Sequence, residues 1–205
     1  MKKGVKVLIG IIIALIIIIV GVFAVYYISF KPNTETVSVA TASESSANAV
    51  LQKFTPEYIE NNAKNLGNGK KEISLSSDEL SNLVAYTVSQ SPSISKYVTG
   101  VKIQPENDNE VDMYVTGDLK GVSSQAKLTF EVENKNGQTV LEYESGKVGF
   151  ISIPENELFS RLHDNNYITV NSLDGTIAIN PTAISGQTIA GMRVSNSNLN
   201  IIFNS

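Results

Sequence analysis

From Val7 to Phe30 the chain runs 24 positions without a charged residue, VLIGIIIALIIIIVGVFAVYYISF, and most are aliphatic. A helix of that length rises about 36 Å, enough to cross a hydrocarbon core of about 30 Å with some tilt. Lipid offers no partner to an open N–H or C=O, so such a segment crosses as a helix. Tyr26 and Tyr27 sit where an interfacial aromatic belt is expected. Past Phe30 the pattern changes. Residues 31–47 are rich in Ser, Thr and Ala, hold no aromatic side chain, and read as a flexible stalk. Residues 48–205 then carry the periodicities of one folded domain.

Within that domain residues 48–54 can begin a short helix through Val50, Leu51 and Phe54. Thr55 and Pro56 have the N-cap and first-position chemistry of a fresh helix, with Gly67 as its stop. The segment 72–91, EISLSSDELSNLVAYTVSQS, is more explicit. Glu72 to Leu75 alternates as a short strand. Ser76 and Glu79 form a capping box, with Leu75 and Leu80 at the staple positions. Leu80, Leu83, Val84 and Val88 then share one face of a helix of about 13 residues.

Beyond Pro92 the period falls to two. Val98–Gln104, Val111–Leu119 and Ala126–Val132 alternate as strands with one buried face, and Asn136-Gly137 is a hairpin signal. A long strand over Gln138–Ile153 is expected to bend or bulge at Gly146 or Gly149. Pro154 opens a second helix with an apolar face of Leu158, Phe159 and Leu162. Tyr167–Val170 with Gly175–Ile179, and Ile189–Val194 with Leu199–Phe203, read as two further hairpins. Short turns between consecutive strands mean antiparallel pairing. The expected fold is α+β: a curved antiparallel sheet packed on one or two amphipathic helices behind a transmembrane helix.

Charge gives the orientation. Lys2, Lys3 and Lys6 precede the span and Lys31 alone follows it, so residues 1–6 form a cytoplasmic tail and the domain lies outside the cell. A cleaved signal peptide would have a shorter apolar region and a small-residue site close behind it. Ala40-Thr41-Ala42 lies ten positions past Phe30, so an uncleaved single-pass anchor in the cell membrane is the better reading. Of the 16 basic residues, those four flank the span, leaving 12 against 20 acidic ones, a balance of about −8. Nucleic acid requires clustered Lys and Arg and is not an expected partner. The chain has no cysteine, which excludes thiol chemistry, disulfides and a lipoprotein anchor.

Candidate chemistry is sparse. His163 is the chain's single histidine and is placed in the last turn of the second helix, where a solvent-facing imidazolium suits the macrodipole. No Ser-His-Asp set can form without it, and no G-x-S-x-G elbow is present. Asp108-x-Glu110-x-Asp112 begins like a calcium loop but has Met113 and Leu119 where Gly and Glu are needed, so it reads as a solvated turn entering a strand. A two-residue turn at Asn136-Gly137 would set Glu131 against Glu142, which is unfavourable. A four-residue loop, pairing Lys127 with Glu144 and Phe130 with Leu141, relieves that conflict and is the expected register. Gly10 and Ala14 make a small-xxx-small pair within the span, a pattern common by chance. No catalytic residue, metal or cofactor is expected. If the sheet wraps the helices incompletely, Leu83, Val84, Phe130, Tyr143, Phe150 and Phe159 would line an apolar groove; otherwise the same faces close as a core.

The span, SLSSDELSNLVAYTV over 74–88, the hairpin-rich middle, GKVGFISIPENELFSRL over 146–162 and the final hairpin together resemble the YpmS-like family of membrane-anchored Gram-positive proteins. The layout, over roughly residues 72–204, is also similar to bacterial tubular lipid-binding domains. The resemblance implies a lipid-related, non-enzymatic role at the envelope and supplies no catalytic residues. The chain departs from lipid-anchored relatives in lacking a lipoprotein cysteine. The expected function is a membrane-anchored extracytoplasmic module binding a lipid or other hydrophobic ligand. The alternative is a protein-interaction domain with a filled core and an envelope protein as partner.

Topology is directly checkable. Protease added to intact cells is expected to remove the domain while the mature chain begins at Met1; an N-terminus near Ser43 would dismiss the anchor.

Overall fold

The computed structural model describes residues 32–119, 121–160, 162–165, 168–181 and 188–204. The expected span, residues 7–30, lies outside them, as does Tyr167. Among the described residues no helix is long and apolar enough to cross a membrane. The described chain is α+β with antiparallel sheets.

Its elements are β1 (Val37–Ser38), a 3-10 turn (Val39–Thr41), α1 (Glu44–Gln52), α2 (Pro56–Asn62), β2 (Lys64–Gly67), β3 (Lys70–Ser76), α3 (Ser77–Ser89) and α4 (Pro92–Ser95). Then come β4 (Val98–Pro105), β5 (Glu110–Leu119), β6 (Val122–Lys135), β7 (Gln138–Val148), β8 (Ile151–Ser152) and α5 (Glu155–Phe159). The chain ends in β9 (Ile168–Asn171), β10 (Thr176–Ile179), β11 (Thr188–Ser195) and β12 (Asn198–Asn204). The larger sheet has the order β1-β4-β5-β6-β7-β10-β9, with β8 folded back on β7. The smaller one has the order β11-β12-β3-β2.

Helix α3 forms where the sequence places it. Glu79 N donates to Ser76 Oγ at 3.2 Å and Ser76 N donates back to Glu79 Oε2 at 3.0 Å, which closes the capping box. Its buried face (Leu80, Leu83, Val84, Ala85, Val88) packs on β4. The helix also completes the edge of that strand. Ser77 Oγ donates to Ile103 O at 2.7 Å, and Ile103 N donates to Ser81 Oγ at 2.9 Å. Farther along the same edge, Val37 and Ser38 pair with Val101 and Gly100.

That pairing corrects the stalk reading. Residues 32–47 contain a strand, a turn and the start of a helix, with Val39 and Ala47 buried in the core. An edge strand demands partners for its open N–H and C=O groups, and this Ser/Thr-rich segment meets the demand without aromatic residues. A second correction concerns Gly67. The helix after Thr55 ends at Asn62, and Gly67 closes a strand that pairs with β3. The second predicted helix is only the five residues of α5, so His163 lies beyond it in an exposed loop, not in its last turn.

The register of β6 and β7 overturns the four-residue loop. Asn136 and Gly137 take φ of 54° and 75°, a two-residue turn, and Lys135 pairs with Gln138. Glu131 therefore does stand opposite Glu142. Lys135 answers the conflict by bonding Glu142 Oε2 at 2.8 Å and also pairing with Glu133. Its hydrogen bond lowers the Glu142 carboxyl below its usual value. Partial desolvation, then Glu133, Glu144, Glu142 and Glu110, hold the Glu131 carboxyl above the usual range.

Two asparagine side chains join the sheets. Asn134 Nδ2 donates to Met192 O at 2.7 Å and Asn134 Oδ1 accepts from Met192 N at 3.0 Å, so one amide imitates a strand partner for the edge of β11. Val194 N donates to Asn109 Oδ1 at 3.1 Å. A Cβ at Gly191 would meet Asn134 Oδ1 at 2.7 Å, which makes the missing side chain a condition of this approach. In the smaller sheet Glu72 is buried and accepts from Arg193 Nε at 2.9 Å and Nη2 at 2.6 Å.

Two stability outcomes follow. Asn134→Ala leaves Met192 N and O without that partner and is expected to cost about 1–3 kcal/mol in chemical denaturation. Val39→Ala should cost roughly 1–2 kcal/mol; an unchanged midpoint would restore the free stalk.

Candidate functional site

The six expected groove residues separate into three groups. Leu83 and Val84 are fully buried on α3. Phe130 and Phe159 are 2% exposed, and Tyr143 is half-buried between them. Phe150 lies apart, 84% exposed in the turn between β7 and β8. Leu83, Val84, Phe130 and Phe159 belong to one continuous hydrophobic cluster, with Tyr143 packed against it.

The aromatic group sits beside a bulge. Thr129 faces Ser145 and Phe130 faces Tyr143, so Glu144 is the extra residue on β7. Paired with inward-facing Phe130, Tyr143 also turns inward, with its ring edge-on to Phe130 at 5.7 Å and to Phe159 at 6.2 Å. The Tyr143 hydroxyl donates to Ile153 O at 2.6 Å, while Ile153 N donates to Gly146 O at 2.8 Å. These bonds clamp the return strand onto β7. The hydroxyl passes over Gly146, where a Cβ would collide with it and with Leu128 Cδ2 at 2.7 Å. Burial, then the nearby Glu155 charge, push the Tyr143 phenol up to about 12. Rings and hydroxyl together hold the β7–β8 return against the core.

The opposite face of the larger sheet carries the polar candidates. Asp112 is 4% exposed and fully engaged. Lys127 Nζ lies 2.6 Å away, Thr129 Oγ1 donates at 2.7 Å and the Tyr114 hydroxyl donates at 3.3 Å. Burial alone would lower the Lys127 ammonium, but the hydrogen bond and charge of Asp112 outweigh it and raise it. Burial and then Asp112 also raise the Tyr114 phenol. Beside them lies a cavity of about 200 Å³ lined by Asn33, Thr34, Tyr114, Gln125, Lys127, Lys147 and Gly149. Its wall is held by Gln125, whose Nε2 donates to Thr34 O at 2.8 Å and whose Oε1 accepts from Thr34 N at 3.1 Å.

Sequence reasoning missed this cavity. Asp112 lies where the expected turn enters the expected strand Val111–Leu119; Asp108 and Asn109, both with left-handed φ, form the turn, and Asp112 is within β5. The available signal was alternation: Asp112, Tyr114 and Thr116 share the face opposite to Val111, Met113 and Val115. Among the described residues no group of His, Cys, Asp or Glu is arranged to hold a metal ion. A second cavity, of about 450 Å³ and with small side chains, lies between the 3-10 turn, the end of α3 and the start of β4.

The Tyr143 shift has a sign that can be read. Its phenol stays protonated in the fold while the unfolded chain ionises near pH 10, so its contribution to stability is complete below that value and falls as pH rises toward 12. Base titration should show this loss, reduced in Tyr143→Phe, which at neutral pH costs about 1 kcal/mol for the bond to Ile153. Gly146→Ala, which leaves the phenol intact, should free the β7–β8 turn to exchange faster with solvent.

No family model, no curated protein and no solved structure matches this chain.

Proposed function

We propose that the chain is a single-pass membrane-anchored, extracytoplasmic interaction domain that acts through its surface and is not an enzyme. Residues 7–30 hold it in the cell membrane with the N-terminus in the cytoplasm, and its partner is a component of the envelope. The observation that carries the surface reading is the closed state of the apolar faces. Leu83, Val84, Phe130 and Phe159 spend their side chains on one another and on neighbouring strands. The resemblance to YpmS-like proteins supports the anchor and the non-enzymatic role. The single His163, exposed in a loop, supports the latter.

The tubular lipid-binding reading is the second. It requires Phe130, Tyr143 and Phe159 to part around an acyl chain, breaking two edge-to-face contacts and the clamp on Ile153. The two readings differ in a measurable quantity. Native mass spectrometry of the full chain released from micelles is expected to give the bare polypeptide mass. A one-to-one lipid adduct that persists, and that disappears in a folded Phe130→Trp variant, would replace the surface reading with the groove. In the closed core Phe159→Ala should cost roughly 3–5 kcal/mol.

A further inference from the structure

Strand register shows which features share one end of the larger sheet. Gln125 faces Thr116 across β5, and on β7 it lies level with Gly149, one step past the Ala126–Val148 pair. Thr34 is bonded to Gln125 in both directions, so the chain reaches the fold at this end. The β7–β8 tip carries Phe150 here. Gly175 O accepts from Tyr143 N at 3.0 Å and β10 runs antiparallel to β7, so the tip between β9 and β10, with Leu173 92% exposed, projects the same way. Phe150 and Leu173 are two of the three large hydrophobic side chains exposed among the described residues.

Charge is graded along the same axis. Lys102, Tyr114, Lys127 and Lys147 form one row across four strands, and Lys96 lies nearer the end. Lys127 and Lys147 face each other directly, an unfavourable pairing. Asp112 takes Lys127, whereas no carboxylate among the described residues pairs with the exposed Lys147. Acids at this end are Glu35, Asp118, Asp174 and Glu155. Of these Asp118 accepts from Gly121 N at 2.8 Å and Asp174 from Asn171 Nδ2 at 2.6 Å. The opposite end holds the denser acidic group: Glu110, Glu131 and Glu142 in register, with Glu106 and Glu133 beside them.

The geometry points to this end as a seat on the bilayer: Phe150 and Leu173 enter the interface, and Lys147 takes the phosphate of an anionic lipid headgroup beside the polar cavity. The inference rests on the reading of residues 7–30 as the span. From Phe30 to Thr34 the backbone covers at most about 14 Å, so a domain fixed at Thr34 stays against the membrane. A lysine near an anionic surface favours the seated orientation about fivefold. The acidic end is repelled outward, so a domain of net negative charge is oriented by its own asymmetry.

The absence of cysteine makes the test clean. Phe150→Cys, Leu173→Cys and, at the acidic end, Asn107→Cys each give the full chain one fluorophore, read in nanodiscs containing a spin-labelled quencher lipid. Positions 150 and 173 should be quenched several-fold more than 107, and more in phosphatidylglycerol than in phosphatidylcholine. Lys147→Ala should lower the seated fraction about fivefold in phosphatidylglycerol alone. Equal quenching at 107 and 150, or indifference to phosphatidylglycerol and to Lys147→Ala, overturns the proposal. A chain that carbonate strips from the bilayer overturns the span and the seat together. A chain that resists carbonate yet leaves position 150 unquenched overturns the seat alone.

Discussion

An open strand edge cannot be left with bare N–H and C=O groups, and the way β4 meets that requirement organises this molecule. One part of the edge is covered by two residues, Val37 and Ser38, and the next by the hydroxyls of Ser77 and Ser81 on α3. The helix is thus fixed to the sheet by directed bonds as well as by its apolar face. The same closure recruits the segment next to the expected span. Thr34 lies on Gln125 and Val39 in the core, so the fold begins almost where the apolar stretch ends.

The other edge problems are solved by side chains. Asn134 presents both an acceptor and a donor to Met192, and Asn109 accepts from Val194, so the exposed edge of β11 ends against β6 and the turn before β5. Amides of this kind carry no net charge and incur little desolvation when both halves are bonded. Charged residues take a different place. On the outer face of the larger sheet carboxylates meet carboxylates and lysines meet lysines, and the tension is relieved by Lys135 at one height and Asp112 at another. The bulge at Glu144 is what sets Lys127 against Lys147. Without the one-residue slip Lys127 would face Gly146, whereas the Phe130–Tyr143 and Glu131–Glu142 pairs lie on the turn side of the bulge and keep the register that Asn136-Gly137 gives them.

Much of this was readable from residues alone. The capping box at Ser76, the alternation of β5 and β6 and the Asn136-Gly137 turn are local signals whose physics is complete within a few positions. The stalk was misread because composition reports how much a segment can bury, not whether a strand elsewhere needs its backbone. The β6–β7 register was misread because two opposed glutamates look prohibitive until Lys135, seven residues from Glu142, is placed over them. The candidate groove raises a different point. Leu83, Phe130 and Phe159 were correctly taken as inward-facing, but periodicity gives the direction of a side chain and not the presence of empty space in front of it. Asn109 and Asn134 gave no signal at all, since an asparagine in a turn or at a strand end is ordinary.

On the proposed surface reading the question of function moves outward, to the apolar and charged surface that remains. The inward residues of this sheet pack into one hydrophobic cluster, and among the described residues the two most exposed large apolar side chains are at hairpin tips: Phe150 between β7 and β8, Leu173 between β9 and β10. The clamp on β8 is made by Tyr143, Gly146 and Ile153. Phe150 and Leu173, on tips that project the same way, offer apolar surface that another phase or another molecule can cover. The distribution of charge narrows what that covering can be. Lysines gather nearer the tips, and the carboxylates at the far end outnumber the one lysine, Lys135, that pairs with them, so an electronegative boundary would attract one end and reject the other. A soluble protein partner would have to match that gradient by design, whereas an anionic bilayer supplies it to any anchored domain whose first residues are tied down beside those tips.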